Sequence, residues 1–155
     1  ELFASTAGIK MTHVPYKGGG QAITDVVSGQ VPLMVTAYAT AGPFIQSRKL
    51  KAIAVTSAQR LPNLPDVPTV QESGVPDFDA ASWYGLMAPA RTPEPIIARL
   101  HAALAQAMSG DELKTRFNHF GAVPVLDTPA KFEALLRSDI TRWAQVVKTN
   151  NITLN

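Results

Sequence analysis

Segments typical of strands alternate with segments typical of helices at short spacing through residues 1–80. The strand pattern covers residues 10–16, 31–35 and 50–56, and the helix pattern covers residues 2–7, 21–27 and 40–47. Such alternation is the sign of βαβ units, in which helices join parallel strands. The sequence therefore predicts an α/β fold with a mainly parallel sheet and flanking helices.

The pattern changes in the second part of the chain. A proline-rich segment with Pro62, Pro65, Pro68 and Pro76 leads into an extended run at residues 78–88. Proline fixes φ and removes a backbone donor, so the proline-rich segment is expected to be ordered but irregular. Beyond the extended run, the sequence predicts helices at 93–108, 111–120 and 129–148, and short strands at 123–126 and 152–154. We therefore expect residues 1–82 to belong to one lobe, and residues 83–155 to supply a crossover strand and a helical segment.

Local signals predict several helix ends. Gly29 and Gly121 are expected to stop the helices before them, and Thr128 to cap the last helix with Pro129 at its first position. Pro43 is expected in the first turn of the helix at 40–47. The two longest helices each keep one apolar face, expected to point to a core: Ile96, Ile97, Leu100, Leu104 and Met108 in the first, and Phe132, Leu136, Trp143 and Val147 in the second.

Composition excludes several classes of protein. The 155 residues are 46% hydrophobic and 17% charged, which is enough apolar surface for a core. The net charge is only +2 and the basic residues are scattered. The chain has no run of basic residues with aromatic residues between them, so no nucleic-acid partner is predicted. The chain has no cysteine, which excludes disulfides, thiolate catalysis and cysteine-ligated metal.

One uncharged stretch, from Val26 to Ser47, is long enough to raise the question of a membrane span. Glycines, prolines and glutamines interrupt it, whereas a spanning helix needs about 20 predominantly apolar residues. A buried strand, loop and helix is the favoured interpretation.

The glycine loop is Tyr16-Lys17-Gly18-Gly19-Gly20-Gln21, between a predicted strand and a predicted helix. The first turn of a helix leaves backbone N–H groups without partners, and the helix dipole adds partial positive charge. The order of residues matches neither the phosphate loop nor the dinucleotide fingerprint, so a carboxylate is the anion that fits best. A flexible turn without a ligand is an equal alternative on these residues alone.

A second loop, Thr36-Ala37-Tyr38, follows the next predicted strand. In open parallel sheets, ligands lie beyond the carboxyl ends of the strands, so this loop is expected beside the glycine loop. Thr40 is either a helix cap or a ligand contact.

Few residues point to catalysis. His13, His101 and His119 have no metal-site spacing, and no nucleophile motif is present. Asp77 and Asp79 are interpreted as a solvated loop edge, and Trp83 and Tyr84 as core rather than cleft aromatics. We predict no catalytic residue, no metal and no cofactor.

Three blocks together resemble a known family. They are VPYKGGGQAITDVVSGQVPLM, LKAIAVTSAQRLPNLPDVPTVQESGVPDF and SWYGLMAPARTPEPIIARL. They are similar to the substrate-binding proteins of tripartite tricarboxylate transporters, the Bug-type extracytoplasmic receptors. The resemblance implies a periplasmic, non-enzymatic receptor with a two-lobed, type II periplasmic-binding-protein fold. It would capture a small organic carboxylate, such as a di- or tricarboxylate, and deliver it to a membrane permease.

The resemblance also assigns the ligand site and its extent. Family motifs map onto Tyr16, Lys17, Gly18, Gly19, Gly20 and Gln21, and onto Thr36, Ala37 and Tyr38. Members often carry an acidic or amide side chain where this chain has Thr36 and Ala37. The chain corresponds to the C-terminal half of such a receptor, so residues after Trp83 would lack the sheet they complete. We therefore expect a swapped homodimer.

Two other functions stay open from the residues. A small α/β enzyme acting on an anionic substrate would have to use Lys17 or His13, neither of which has an evident partner. An assembly module would use the proline-rich segment as its contact surface.

Overall fold

The computed structural model describes residues 1–150 and residue 152. Within these residues the chain forms six α-helices, which lie close to the predicted positions. Their bounds are α1 Leu2–Thr6, α2 Gly19–Val27, α3 Tyr38–Gln46, α4 Glu94–Met108, α5 Asp111–His119 and α6 Pro129–Thr149. None of the described helices is long and apolar enough to cross a membrane. The predicted strand at 152–154 lies outside the described residues, apart from Ile152.

Local signals explain several helix ends. Thr128 caps α6, because its side-chain oxygen accepts a hydrogen bond from the Lys131 amide at 3.3 Å, and Pro129 occupies the first helical position. Gly29 and Gly121, just beyond α2 and α5, adopt φ of 79° and 65°. This left-handed conformation ends helices and suits glycine. The caps and stops predicted at these residues are confirmed.

Helix α3 begins two residues earlier than its sequence pattern predicts. Ala37 is its N-cap, so Thr40 lies inside the first turn and is not the cap. Pro43, predicted in the first turn, is instead internal. Because proline has no N–H, α3 lacks the bond that residue 43 would donate to the Ala39 carbonyl.

The parallel sheet is where the structure departs most from the prediction. Among the described residues, the only β-pairing is an isolated parallel bridge between Val55 and Thr69. Val55 donates to the Pro68 carbonyl and accepts from the Val70 amide, both at 2.9 Å. A strand needs a neighbouring strand to form hydrogen bonds with its N–H and C=O groups. The segments 10–16, 31–35, 78–88 and 123–126 form no strand, and within the predicted strand 50–56 the paired residue is Val55 alone.

The core is small and lies in residues 1–82. Its buried apolar side chains come from two helices, the bridge and the segment that follows it, namely Ala4, Ile23, Val55, Val70 and Phe78. Phe3 of α1 packs edge-on against Phe78, with ring centroids 6.0 Å apart. Thr69, which is 2% exposed, is the most deeply buried polar residue in the described part of the chain.

Helices α4, α5 and α6 contribute no fully buried residue. The apolar faces predicted to point to a core are partly open: Ile96, Leu100 and Val147 are 48%, 51% and 45% exposed. These residues keep the helical spacing of an amphipathic face, but the described residues place little against them. The predicted core sides of α4 and α6 are therefore largely surfaces in this structure.

Contacts between the two parts of the chain come from a few side chains. Asn63 donates its side-chain amide to the Asn118 carbonyl at 2.6 Å. Gly121 lies so close to Tyr38 that a Cβ built on this glycine would stand 2.7 Å from the tyrosine side chain. The end of α5 is thus held against α3 and the proline-rich segment.

Candidate functional site

Helix α2 begins inside the glycine triplet. Gly18 is its N-cap, with extended φ and ψ of 178° and 161°, and no side chain caps the helix. The N–H groups of Gly18, Gly19, Gly20 and Gln21 donate to no acceptor among the described residues. All four residues are exposed. The glycine loop therefore presents a set of free amide donors at the positive end of a helix, which is the arrangement that binds anions.

The second loop lies beside the glycine loop, as predicted. A Cβ built on Gly19 would stand 3.8 Å from Thr40 Cγ2 and 4.0 Å from Thr36 Oγ1. Ala37, the N-cap of α3, is exposed, and Thr36 is half-buried. The beginnings of α2 and α3 thus face the same small volume, although no parallel sheet aligns them.

Tyr38 is the exception among the predicted site residues. Its hydroxyl accepts a hydrogen bond from Gln46 Nε2 at 3.2 Å, so the ring extends along α3 towards the end of the helix. The ring also packs on Gly42, where a Cβ would stand 3.0 Å away. The Tyr38 side chain is therefore directed away from the free amides, and only its backbone lies at the predicted site.

Tyr16 is fastened to α2 by Asp25, a residue that the sequence analysis did not select. The Tyr16 hydroxyl donates to Asp25 Oδ2 at 2.6 Å. This hydrogen bond, helped by burial and by the negative charge of Asp25, raises the pKa of Tyr16. The sequence offered one signal that could have identified Asp25. It lies four residues after Gln21, and therefore on the same face of the helix as a predicted site residue.

An open cleft runs along α2 next to Tyr16, and it shares Gly20 and Gln21 with the set of free amides. Its volume is about 460 Å³, and its lining residues are Tyr16, Gly20, Gln21, Thr24 and Asp25. Thr24 donates its hydroxyl back to the Gly20 carbonyl at 3.0 Å, so that hydroxyl is engaged within the helix. Lys17 is exposed and forms no ion pair with another described residue.

The residues considered for catalysis do not converge. His101 Nε2 lies 2.9 Å from the Asp127 carbonyl, and Asp79 accepts the Ala81 amide at 3.2 Å. Tyr84 is 95% exposed, so its interpretation as a core aromatic is wrong. Within the residues that the structure describes, no group of three His, Cys, Asp or Glu residues could hold a metal ion.

Comparison with protein families gives a match over almost the whole chain. The model of the tripartite tricarboxylate transporter family receptor, TctC, matches residues 1–152. The chain belongs to this family. The resemblance in the three sequence blocks is thereby confirmed, and the family is one of solute-binding receptors.

Two curated relatives of this receptor chain illustrate the match. Protein BugT of Bordetella pertussis is 34% identical over 154 residues, which is 99% of this chain and 47% of BugT. The UPF0065 protein in the clcB-clcD intergenic region of Pseudomonas knackmussii is 32% identical over 155 residues, covering 99% of this chain and 92% of that protein. Apart from that protein, the chain spans about half the length or less of the curated relatives it matches.

Solved structures of the same kind superimpose on this receptor chain. R. palustris Rpa4515 with adipate has a TM-score of 0.84 and 32% identity, covering 98% of this chain and 51% of that one. MatC from Rhodopseudomonas palustris with bound malate has a TM-score of 0.74 and 36% identity, and the match covers 94% of this chain and 51% of MatC. A third neighbour, described as the periplasmic binding protein BugD, has a TM-score of 0.78 and 32% identity. The fold is thus that of part of a periplasmic binding protein, as the resemblance predicted.

Proposed function

We propose that this receptor captures a small organic carboxylate, most simply a dicarboxylate, at the glycine loop. The observation that carries the proposal is the set of free, exposed N–H groups from Gly18 to Gln21 at the start of α2. A hydrogen bond to a charged group contributes roughly 1.5–3 kcal/mol, whereas the helix dipole adds roughly 0.3–1 kcal/mol. The amides therefore dominate, and glycine lets the ligand approach them without a Cβ in the way.

The second loop completes the proposed site. Thr36 lies opposite Gly19. Ala37 would contribute as the N-cap of α3, and Tyr38 contributes its backbone while its ring rests on Gly42. Lys17, which is exposed, would supply a positive charge at the rim. Two structural neighbours support a dicarboxylate, since one is described with adipate and the other with malate.

The remaining features of the proposal follow the family. Residues 1–82 would form part of the second lobe. Residues 83–155 would form the crossover strand and the helical segment that complete the first lobe. The receptor would work in the periplasm, without catalysis or a cofactor, and pass its ligand to a membrane permease. The description of BugD as a periplasmic binding protein supports the location.

Calorimetry on the intact protein tests the proposal. We expect saturable heat with one or more of adipate, malate, citrate and acetate, with the dicarboxylates binding more tightly than acetate. No heat with any member of the panel would overturn the proposed function. The enzyme alternative would be supported instead by turnover of a carboxylate or phosphate ester that depends on Lys17 or His13.

The swapped homodimer stays a prediction. Three large apolar side chains in the second part, Leu86, Val125 and Ile140, are 75%, 68% and 62% exposed, and exposed apolar surface favours association. Light scattering of the chain during size-exclusion chromatography should give twice the monomer mass. A clean monomer at micromolar concentration would count against exchange between chains.

A further inference from the structure

Asp25 places a carboxylate on a cleft that two residues of the proposed anion site also line. It is half-buried and lines the cleft together with Gly20 and Gln21. None of the ion pairs formed within the described residues involves Asp25. A negative charge at the rim of a carboxylate site opposes ligand binding by Coulomb repulsion. Its presence there points to a role that offsets the repulsion.

The hydrogen-bond partner of Asp25 indicates that role. The 2.6 Å bond from the Tyr16 hydroxyl is short, as is typical when a carboxylate accepts from a hydroxyl. Tyr16 comes two residues before the glycine triplet, whose backbone has more conformational freedom than any other triplet. The Thr24 hydroxyl donates to the Gly20 carbonyl inside α2. The bond that reaches the residue before the helix, from the Ala22 amide to the Gly18 carbonyl, is long at 3.4 Å. The Tyr16–Asp25 bond is therefore the stronger link between the helix and the start of the loop.

We propose that Asp25 is a positioning residue of the carboxylate site: it holds the Tyr16 hydroxyl and thereby fixes the direction in which the chain enters the glycine loop. The free amides of Gly18, Gly19 and Gly20 then point at a common position without first losing conformational entropy. This inference rests on the proposed function of the loop. Asp25 does not itself contact the ligand in this scheme.

Two substitutions at position 25 separate charge from positioning. Asp25→Asn and Asp25→Ala both remove the negative charge, but only asparagine keeps an oxygen that can accept from the Tyr16 hydroxyl. We expect Asp25→Ala to bind malate or adipate roughly three- to tenfold more weakly than Asp25→Asn, which is the effect of losing one hydrogen bond. In a Tyr16→Phe background the two variants should bind equally. Equal affinities of the two variants in the native Tyr16 background would overturn the proposal.

A measurement without ligand makes the test independent of the proposed function. NMR order parameters of the Gly18, Gly19 and Gly20 amides should fall in Asp25→Ala and be preserved in Asp25→Asn. Glu133→Ala, which removes a charge paired with Arg137 on α6, should leave them unchanged. If the unaltered protein binds no carboxylate, the proposed function fails, and these order parameters still decide the positioning role. Values equal to those of the unaltered protein in Asp25→Ala would refute it.

Discussion

Trp83 donates its indole N–H to Asp139 Oδ2 at 2.6 Å, which joins the extended segment to the middle of α6. The Trp83 ring also meets Phe132 edge-on, with centroids 5.3 Å apart. One turn further along α6, the Arg142 guanidinium donates to the Asp79 carbonyl. Because α6 has no fully buried residue, these contacts attach it to the extended segment in place of a shared apolar core.

Trp83→Phe should lower the free energy of unfolding by about 1 kcal/mol or somewhat more, because Asp139 loses its donor and the cluster loses aromatic area. Urea denaturation followed by circular dichroism measures the change. Trp143→Phe is a suitable control, because Trp143 is another tryptophan on the same helix and is 38% exposed. Its ring centroid lies 5.1 Å from the Arg142 guanidinium carbon. In a cycle with Asp139→Ala, additive losses would show that the Trp83–Asp139 bond contributes nothing.

Gly85→Ala should destabilise the same cluster by overpacking. A Cβ at Gly85 would clash with Phe132 Cζ and stand 2.9 Å from Cε2, closer than non-bonded atoms approach. Inserting one methyl group into a packed contact costs typically about 1–3 kcal/mol, and Phe132→Leu in the same chain should recover part of the loss. Gly110→Ala is the matched control, because its Cβ would meet only the Ala107 carbonyl at 3.5 Å. Equal stabilities of the two alanine variants would contradict the prediction.

Glu72 should make stability sensitive to acid. The Arg60 guanidinium, 2.9 Å away, together with the Thr69 amide, holds the pKa of Glu72 below its ordinary value of 4.5. A carboxylate with a lowered folded-state pKa contributes stability above its unfolded pKa and loses it as the pH falls through the folded pKa. Thermal unfolding from pH 7 down to pH 3 should therefore show a loss below about pH 4.5 that is smaller in Glu72→Gln. Arg60→Gln should reproduce the flatter profile, and an unchanged profile in both variants would contradict this role.

The sequence predicted the helices well because the signals that begin and end a helix lie within a few residues of its ends. The cap at Thr128 and the stop at Gly29 are examples, and the juxtaposition of Gly19 with Thr36 is another prediction that the structure confirms. Strand pairing depends on segments far apart in sequence, and in the part of the chain that the structure describes only Val55 and Thr69 pair, as an isolated bridge. The parallel sheet was therefore beyond what alternation alone could establish.

The side-chain directions at the site could not be predicted for a similar reason. The sequence shows that Tyr38 follows a strand-like segment, but its orientation depends on the space left by Gly42 and Gly121, which is a tertiary property. Asp25 was missed because it sits inside a helix pattern, where an aspartate is ordinarily a solvated surface residue. Its significance emerges only when the chain folds back and places Tyr16 against it.

Gly19→Val tests the glycine loop directly. The Cβ of residue 19 fits, since it would lie 3.8 Å from Thr40 Cγ2, but the two further methyl groups of valine would occupy the space between the two loops. Carboxylate affinity should fall at least roughly 100-fold, the equivalent of losing two charged hydrogen bonds. The fold should change little, because Gly19 is exposed at the start of α2. Calorimetry and thermal unfolding, with Gly110→Val at the start of α5 as control, separate the two effects. Unaltered affinity in Gly19→Val would remove the glycine loop from the site, because a ligand bound to those amides could not share the space with the valine methyls.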